Sequence, residues 1–342
     1  MFTLRAGYEM GSGNTDAAAA DILTLFHLAR KAGKQGALID FLISCALEKH
    51  AEISLRELLW ECELTAEQLA ALDRELRALP PRPDFRNALR GELFFYYDII
   101  QRWMAGEAEE EEEWFFFESC GIDENIFRRR THQLLAPILQ AIDEPDPLRR
   151  FRIVEQKCET SLDSYGTPEM RLKTVLNMLT VQTRSRDMAD THFSLIMCSY
   201  IQAAQADVRA EVCWKMSLLA VALERYRVEH GTYPEDLKEL AEEYWPTGSE
   251  SVSLDPWTGQ ETLHYARNPQ TSEAWRADCE ARKAEFLAQR KEWDLAVYQD
   301  PAYPPDTEPY YRPYILYSFG PNGIDDHGQA SDNTGNDCDE IW

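Results

Sequence analysis

The stretch DVRAEVCWKMSLLAVALERYRVEHG, residues 207–231, carries one unbroken apolar stripe. Val208, Val212, Met216, Leu219, Leu223 and Tyr226 follow one another at intervals of four, four, three, four and three residues. That spacing keeps side chains on one face of an α-helix. Gly231 then offers the left-handed residue on which such helices end. A helix is expected over 207–230, and the rest of the chain divides around it.

Downstream, YPEDLKEL starts a short helix near Pro234, and LDPWTGQ is a Pro and Gly turn that Asp255 opens, a structural use of that aspartate rather than a catalytic one. TLHYAR alternates as a strand, a polar helical segment covers about 272–298, and RPYILYS gives a second strand. Upstream, almost everything reads as helix. Ile22, Leu25, Phe26, Leu28 and Ala29 form one stripe, and Leu38, Phe41, Leu42, Cys45 and Ala46 form another. Capping boxes at Ser54 with Glu57 and at Thr65 with Gln68 mark two further helix starts. LPPRPD then stops the helix. More helix is expected over about 85–104 and 123–141, with a break at DEPDP. The acidic run 107–113 reads as a solvated turn or helix face, with Trp114, Phe115, Phe116 and Phe117 anchoring the next segment in the core.

The resulting expectation is an α+β chain. Residues 1–205 form a large all-helical domain. Residues 206–342 form a second domain, with the long helix 207–230 on a small antiparallel sheet, the helical insertion at about 272–298, and an acidic loop over 318–342.

A net charge of −25 repels phosphate backbones and anionic lipid surfaces, so nucleic acid is not expected as a partner. No window has the roughly 20 apolar residues of a membrane helix, and the start MFTLRAGYEM lacks the pattern of a secretory signal. The eight cysteines are scattered without a CxxC pair, which favours reduced thiols over a disulfide framework. Neither HExxH, GxSxG nor GxxxxGK[ST] occurs. His27, His132 and His192 fall in helical patterns as surface or core-edge residues. An enzymatic alternative places an active site in a carboxylate-lined cleft of the helical region, with Glu92 or Asp98 as acid and base.

The terminus, YSFGPNGIDDHGQASDNTGNDCDEIW over 317–342, has Asp and Glu without Lys or Arg. It reads either as a disordered acidic tail or as a loop that folds around a cation. Ile341 and Trp342 favour the loop, because a closing aromatic serves as an anchor. Cys338 and His327 lack a second Cys or His at ligand spacing, which sets zinc aside.

Taken in order, ALERYRVEHGTYPEDLKEL, DPWTGQETLHYAR, YILYSFGPNG and the closing DEIW resemble the periplasmic part of the major pseudopilin of type II secretion systems. The match covers roughly 207–342, with about 272–309 as an insertion. The N-terminal stretches AGYEMGSGNTDAAAADILTLFHLARKAG and LTAEQLAALDRELRAL are similar to the helical region of large bacterial proteins that end in the same module. The resemblance implies a long helix on a small antiparallel sheet and a C-terminal calcium-binding loop. Its ligands would be the carbonyls of Phe319 and Ile324, the side chain of Asn322, and the closing pair Asp339 and Glu340, with Asp325, Asp326, Asp332 and Asp337 able to replace or supplement them. In true pseudopilins the long helix opens with an apolar membrane half that builds the filament core, whereas here it is internal and follows polar QAAQAD. An ordinary filament subunit is therefore not expected. The expected function is a non-enzymatic, calcium-stabilised module whose helical part contacts another protein, with a component of an envelope assembly as the expected kind of partner. The chain as given is expected to be soluble; an anchor upstream, as in the similar proteins, implies the cell envelope or periplasm, and otherwise the cytoplasm is expected.

Overall fold

The computed structural model describes residues 1–34, 36–105, 121–162, 180–241, 244, 254–259, 263–267, 314–320 and 340–341. Within them the protein is mostly helical with a small antiparallel sheet, a helix-rich α+β fold. The helices are α1 (Phe2–Gly11), α2 (Thr15–Ala32), α3 (Leu38–Glu61), α4 (Ala66–Arg77), α5 (Phe85–Ala105), α6 (Glu124–Asp143), α7 (Pro147–Leu162), α8 (Val181–His230) and α9 (Lys238–Ala241). The strands are β1 (His264–Arg267), β2 (Tyr314–Ser318) and β3 (Glu340–Ile341).

The helix expected over 207–230 is 50 residues long and begins at Val181. Thr180 caps it by accepting from the Thr183 amide at 3.2 Å, and Gly231, at φ +75°, ends it as expected. The polar QAAQAD that suggested a start is simply helical surface and core edge: Ala203 and Ala204 are buried, while Gln202 is exposed. The expected boundary at 205/206 thus falls inside one continuous helix. The apolar stripe itself is buried from Val208 to Leu223, with Tyr226 half-buried. Around it Ala220, Val221 and Ala222 are buried too, so α8 is enclosed on all sides there. It packs against α3, α4, α5, α6 and α7, and against β2 and β3. Phe26 meets Trp214 edge-on at 5.6 Å, Phe41 meets Phe85 at 5.4 Å, and Phe151 of α7 meets Trp257 at 5.5 Å.

The Thr65–Gln68 capping box forms with both reciprocal hydrogen bonds and starts α4. The one expected at Ser54 does not. Ser54 lies inside α3, fully buried, and its hydroxyl finds no partner among the described residues. Its neighbours Ala51, Leu55, Leu58 and Leu59 are all core residues, and their burial carries the helix through. Two stripe residues are also turned outward: Leu28 is exposed, and so is Ala46. The buried face of α3 instead passes through Ser44, Glu48 and Glu52.

In the sheet, β1 and β2 pair antiparallel with His264 opposite Tyr317 and Arg267 opposite Tyr314. On the other edge of β2, Ser318 faces Glu340 and Tyr317 faces Ile341. Trp114, Phe115, Phe116, Phe117 and the helical insertion at about 272–298 lie outside the described residues.

Candidate functional site

The chain leaves β2 through Phe319 and Gly320 and returns as β3 at Glu340. The pairing of Ser318 with Glu340 brings the two ends of the acidic segment side by side. Gly320 has φ +69°, a left-handed conformation that glycine adopts without steric cost.

Asp255 fixes the outgoing end. Its carboxylate is fully buried and accepts from the Ser318 hydroxyl at 2.7 Å, the Phe319 amide at 2.9 Å and the Trp257 amide at 2.8 Å. Its carbonyl accepts from the Gly259 amide at 2.8 Å, which closes the turn expected from LDPWTGQ. Ser318 Oγ in turn accepts from the Gly320 amide at 3.3 Å. Asp255 is therefore more than a turn starter. It joins that turn to the neck of the acidic loop, 63 residues further along, a link that no local pattern announces. His264 stacks over the same neck, 4.1 Å from Phe319 and 5.1 Å from Tyr317.

Of the residues that the resemblance assigns to calcium, Phe319 is buried with its amide held by Asp255, and Glu340 lies in β3 opposite Ser318. The structure brings these two together at the two sides of the neck. Asn322, Ile324, Asp325, Asp337 and Asp339 lie outside the described residues, as do Asp326, Asp332, His327 and Cys338. The donor set is carboxylate, amide and carbonyl oxygen throughout, the chemistry that hard cations such as calcium select. Among the described residues, no group of three His, Cys, Asp or Glu side chains is gathered as a metal site.

A second concentration of charge lies inside the helical region. Glu48 on α3, 1% exposed, receives Arg30 of α2 at 2.5 Å and Arg82 of the α4–α5 connection at 3.1 Å. Arg82 reaches on to Glu211 of α8 at 3.1 Å, and Arg150 of α7 pairs with the buried Asp207 at 2.7 Å. Burial raises Asp207 to about 6 against the pull of Arg82 and Arg150. Burial, with Glu48 one turn away, holds Glu52 well above the usual carboxylate range. Burial also pushes the Cys45 thiol up to about 12, so it is not a nucleophile near neutral pH. Cys45, Cys62 and Cys213 are not joined in disulfides. This network is not legible as a site in the sequence, because its partners come from different helices and each acid alone reads as a solvent-facing residue.

Glu92 is half-buried on α5. Asp98 is exposed and paired with Arg102 at 2.8 Å, one turn along α5. A cleft of about 210 Å³ opens between Asp146 and the first residues of α7, Pro147 and Leu148, Glu211 and Lys215 of α8, and the turn at Leu254 and Asp255. Burial lowers the Lys215 ammonium, which donates to the Leu254 carbonyl at 3.3 Å. His27 and His132 are exposed, in keeping with surface roles.

No helix among the described residues is long and apolar enough to cross a membrane. Comparison of the chain with protein-family models, with curated proteins and with solved structures gave no match.

Proposed function

We propose that the chain is a non-enzymatic, calcium-stabilised module related to the major pseudopilin of type II secretion systems, in which α8 and the sheet correspond to the family's long helix and antiparallel sheet. The observation that carries this reading is the closure of the acidic terminus between β2 and β3, with Phe319 and Glu340 on the two sides of the neck. A free acidic tail needs no such closure. A closed one gathers carboxylates that repel, by about 1 kcal/mol for each pair at 4 Å even in water, and a divalent cation removes that cost. The residues that would hold it are Phe319, Asn322, Ile324, Asp325, Asp337, Asp339 and Glu340. When bound, calcium would supply only fixed positive charge and oxygen coordination, which stabilises the loop and with it the sheet edge. In this reading the helical part serves as the contact for another protein, of an envelope assembly if an anchor precedes the chain.

The test is thermal unfolding with calcium and with chelator. Calcium at a hundredfold excess over its dissociation constant is expected to add about 2.7 kcal/mol, and replacing Asp337 and Asp339 by Asn is expected to abolish the gain. Identical melting curves with calcium and with chelator would remove the proposal.

A further inference from the structure

Glu52 is set apart from the other acids of the buried network. Arg30 is matched by Glu48, Arg82 by Glu48 and Glu211, and Arg150 by Asp207, so three guanidiniums answer three carboxylates. Glu52, one turn beyond Glu48 on α3, is 5% exposed, and among the described residues its Oε1 finds no hydrogen-bond partner. The charged groups that face it are Glu48 and the exposed Lys49 on its own helix, Arg30 of α2 and Arg82 of the α4–α5 connection. Cys45, two turns back, is a thiol that burial keeps neutral. Asp207 and Glu211 of α8 act on Arg82. Of the other helices packed on α3, α1 brings Arg5, which Asp21 holds, and α5 brings Arg86, which Asp84 holds. An ionised Glu52 would therefore be a fourth negative charge in the core, without a donor of its own and one turn from Glu48. That is a costly state, and a neutral carboxyl avoids it.

We propose that Glu52 is protonated in the folded protein and is a proton-operated switch on the packing of α2 against α3 and α8. Arg30 is the moving part. It joins all three helices, because its guanidinium pairs with Glu48 of α3 and lies over the Trp214 ring of α8 at 4.8 Å. Its Nε is buried and, among the described residues, also without a partner. When Glu52 gives its proton to solvent, the new carboxylate repels Glu48 and draws Arg30 away from both Glu48 and Trp214. Burial, to which Glu48 adds, holds the Glu52 carboxyl well above the usual range and favours the neutral form. The unfolded chain releases this proton near pH 4.3, about the ordinary glutamate value. The folded chain releases it only at higher pH, so the stability it confers is whole below about pH 4 and falls as pH rises until Glu52 itself ionises.

Urea unfolding of the full chain from about pH 5 to about pH 9, parent beside Glu52→Gln, tests this. Glutamine keeps the shape and cannot ionise. The folding equilibrium constant of the parent is expected to fall against that of the variant by up to about tenfold per pH unit until Glu52 ionises. Carbon-13 spectra of the parent labelled at the glutamate carboxyls should show a signal that titrates well above the rest and is missing from Glu52→Gln. At the same pH the tryptophan emission of the parent should change, and Trp214→Phe should remove that change. A ratio that stays level across the range, a Glu52 carboxyl that titrates with the others, or an ionisation that leaves Trp214 emission unaltered overturns the proposal. Should Glu52→Gln fail to fold, Glu52→Leu replaces it as the variant that cannot ionise.

Discussion

Glu48 in the helical core and Asp255 beside the sheet are both carboxylates removed from water, yet they are satisfied by different means. Glu48 takes two guanidiniums, from Arg30 and Arg82. Asp255 takes two backbone amides and a hydroxyl. The difference follows from what surrounds each. Inside a helix the amides are already spent on the carbonyls four residues back, so a buried acid has only side-chain donors to draw on. At a turn and at the end of a strand the amides are outside the regular ladder and can be aimed at a carboxylate. Charge is therefore cancelled by charge in the helical region and spread over neutral dipoles at the sheet.

The sharpest break of this comparison is Glu48→Ala, which leaves Arg30 buried without its carboxylate and Arg82 with only Glu211. A loss of about 4 kcal/mol is expected in urea unfolding, and a loss below 1 kcal/mol would show that the guanidiniums find water instead. Asp255→Ala is expected to cost less, about 2–3 kcal/mol, because it strands neutral donors at Ser318 and Phe319 rather than charges. It should also diminish the calcium response, since it releases the amide that fixes one side of the loop neck. An Asp255 variant with an undiminished response would separate the latch from the loop.

The most gradual effect is that of pH, at any one pH step the smallest of the three. Burial holds Asp207 at about 6, above its unfolded value near 4, so the folded state keeps a proton that the unfolded state releases. The stability this confers is whole below about pH 4 and is lost as pH rises through about 6. Relative to Asp207→Asn, the parent should lose stability across that window by at most about 1.4 kcal/mol per pH unit. A gain with rising pH would mean that Arg82 and Arg150 outweigh burial there.

Patterns confined to a few turns were legible in the sequence. The stripe from Val208 to Leu223, its stop at Gly231, the Thr65–Gln68 box and the two longer strands all follow from near-neighbour spacing. The start of α8 was not, because a change in composition near residue 206 is not a break in helical geometry. Ser54 misled for a related reason: a capping box needs a chain that enters from outside the helix, and Ala51 and Leu55 were already in the core. Glu48, Glu52 and Asp207 were hidden because their partners come from other helices. The two ends of the acidic loop show the same limit. The sequence placed Phe319 and Glu340 in one ligand set through a family resemblance, whereas their meeting at the neck depends on strand pairing across the whole loop.

The unbroken course of α8 also restricts how the chain can change in length. Each residue of an α-helix adds a rotation of about 100° and an advance of about 1.5 Å. A single insertion near Ala206 would therefore turn everything beyond it by more than a quarter of a circle, carrying Glu211 away from Arg82 and Arg225 away from Asp73. Insertions of seven residues, close to two full turns, would keep the face but displace it by about 10 Å. Variation in length is thus excluded from the middle of the molecule and left to its connections, and the number of residues in α8 is as much a determinant of this architecture as their identity.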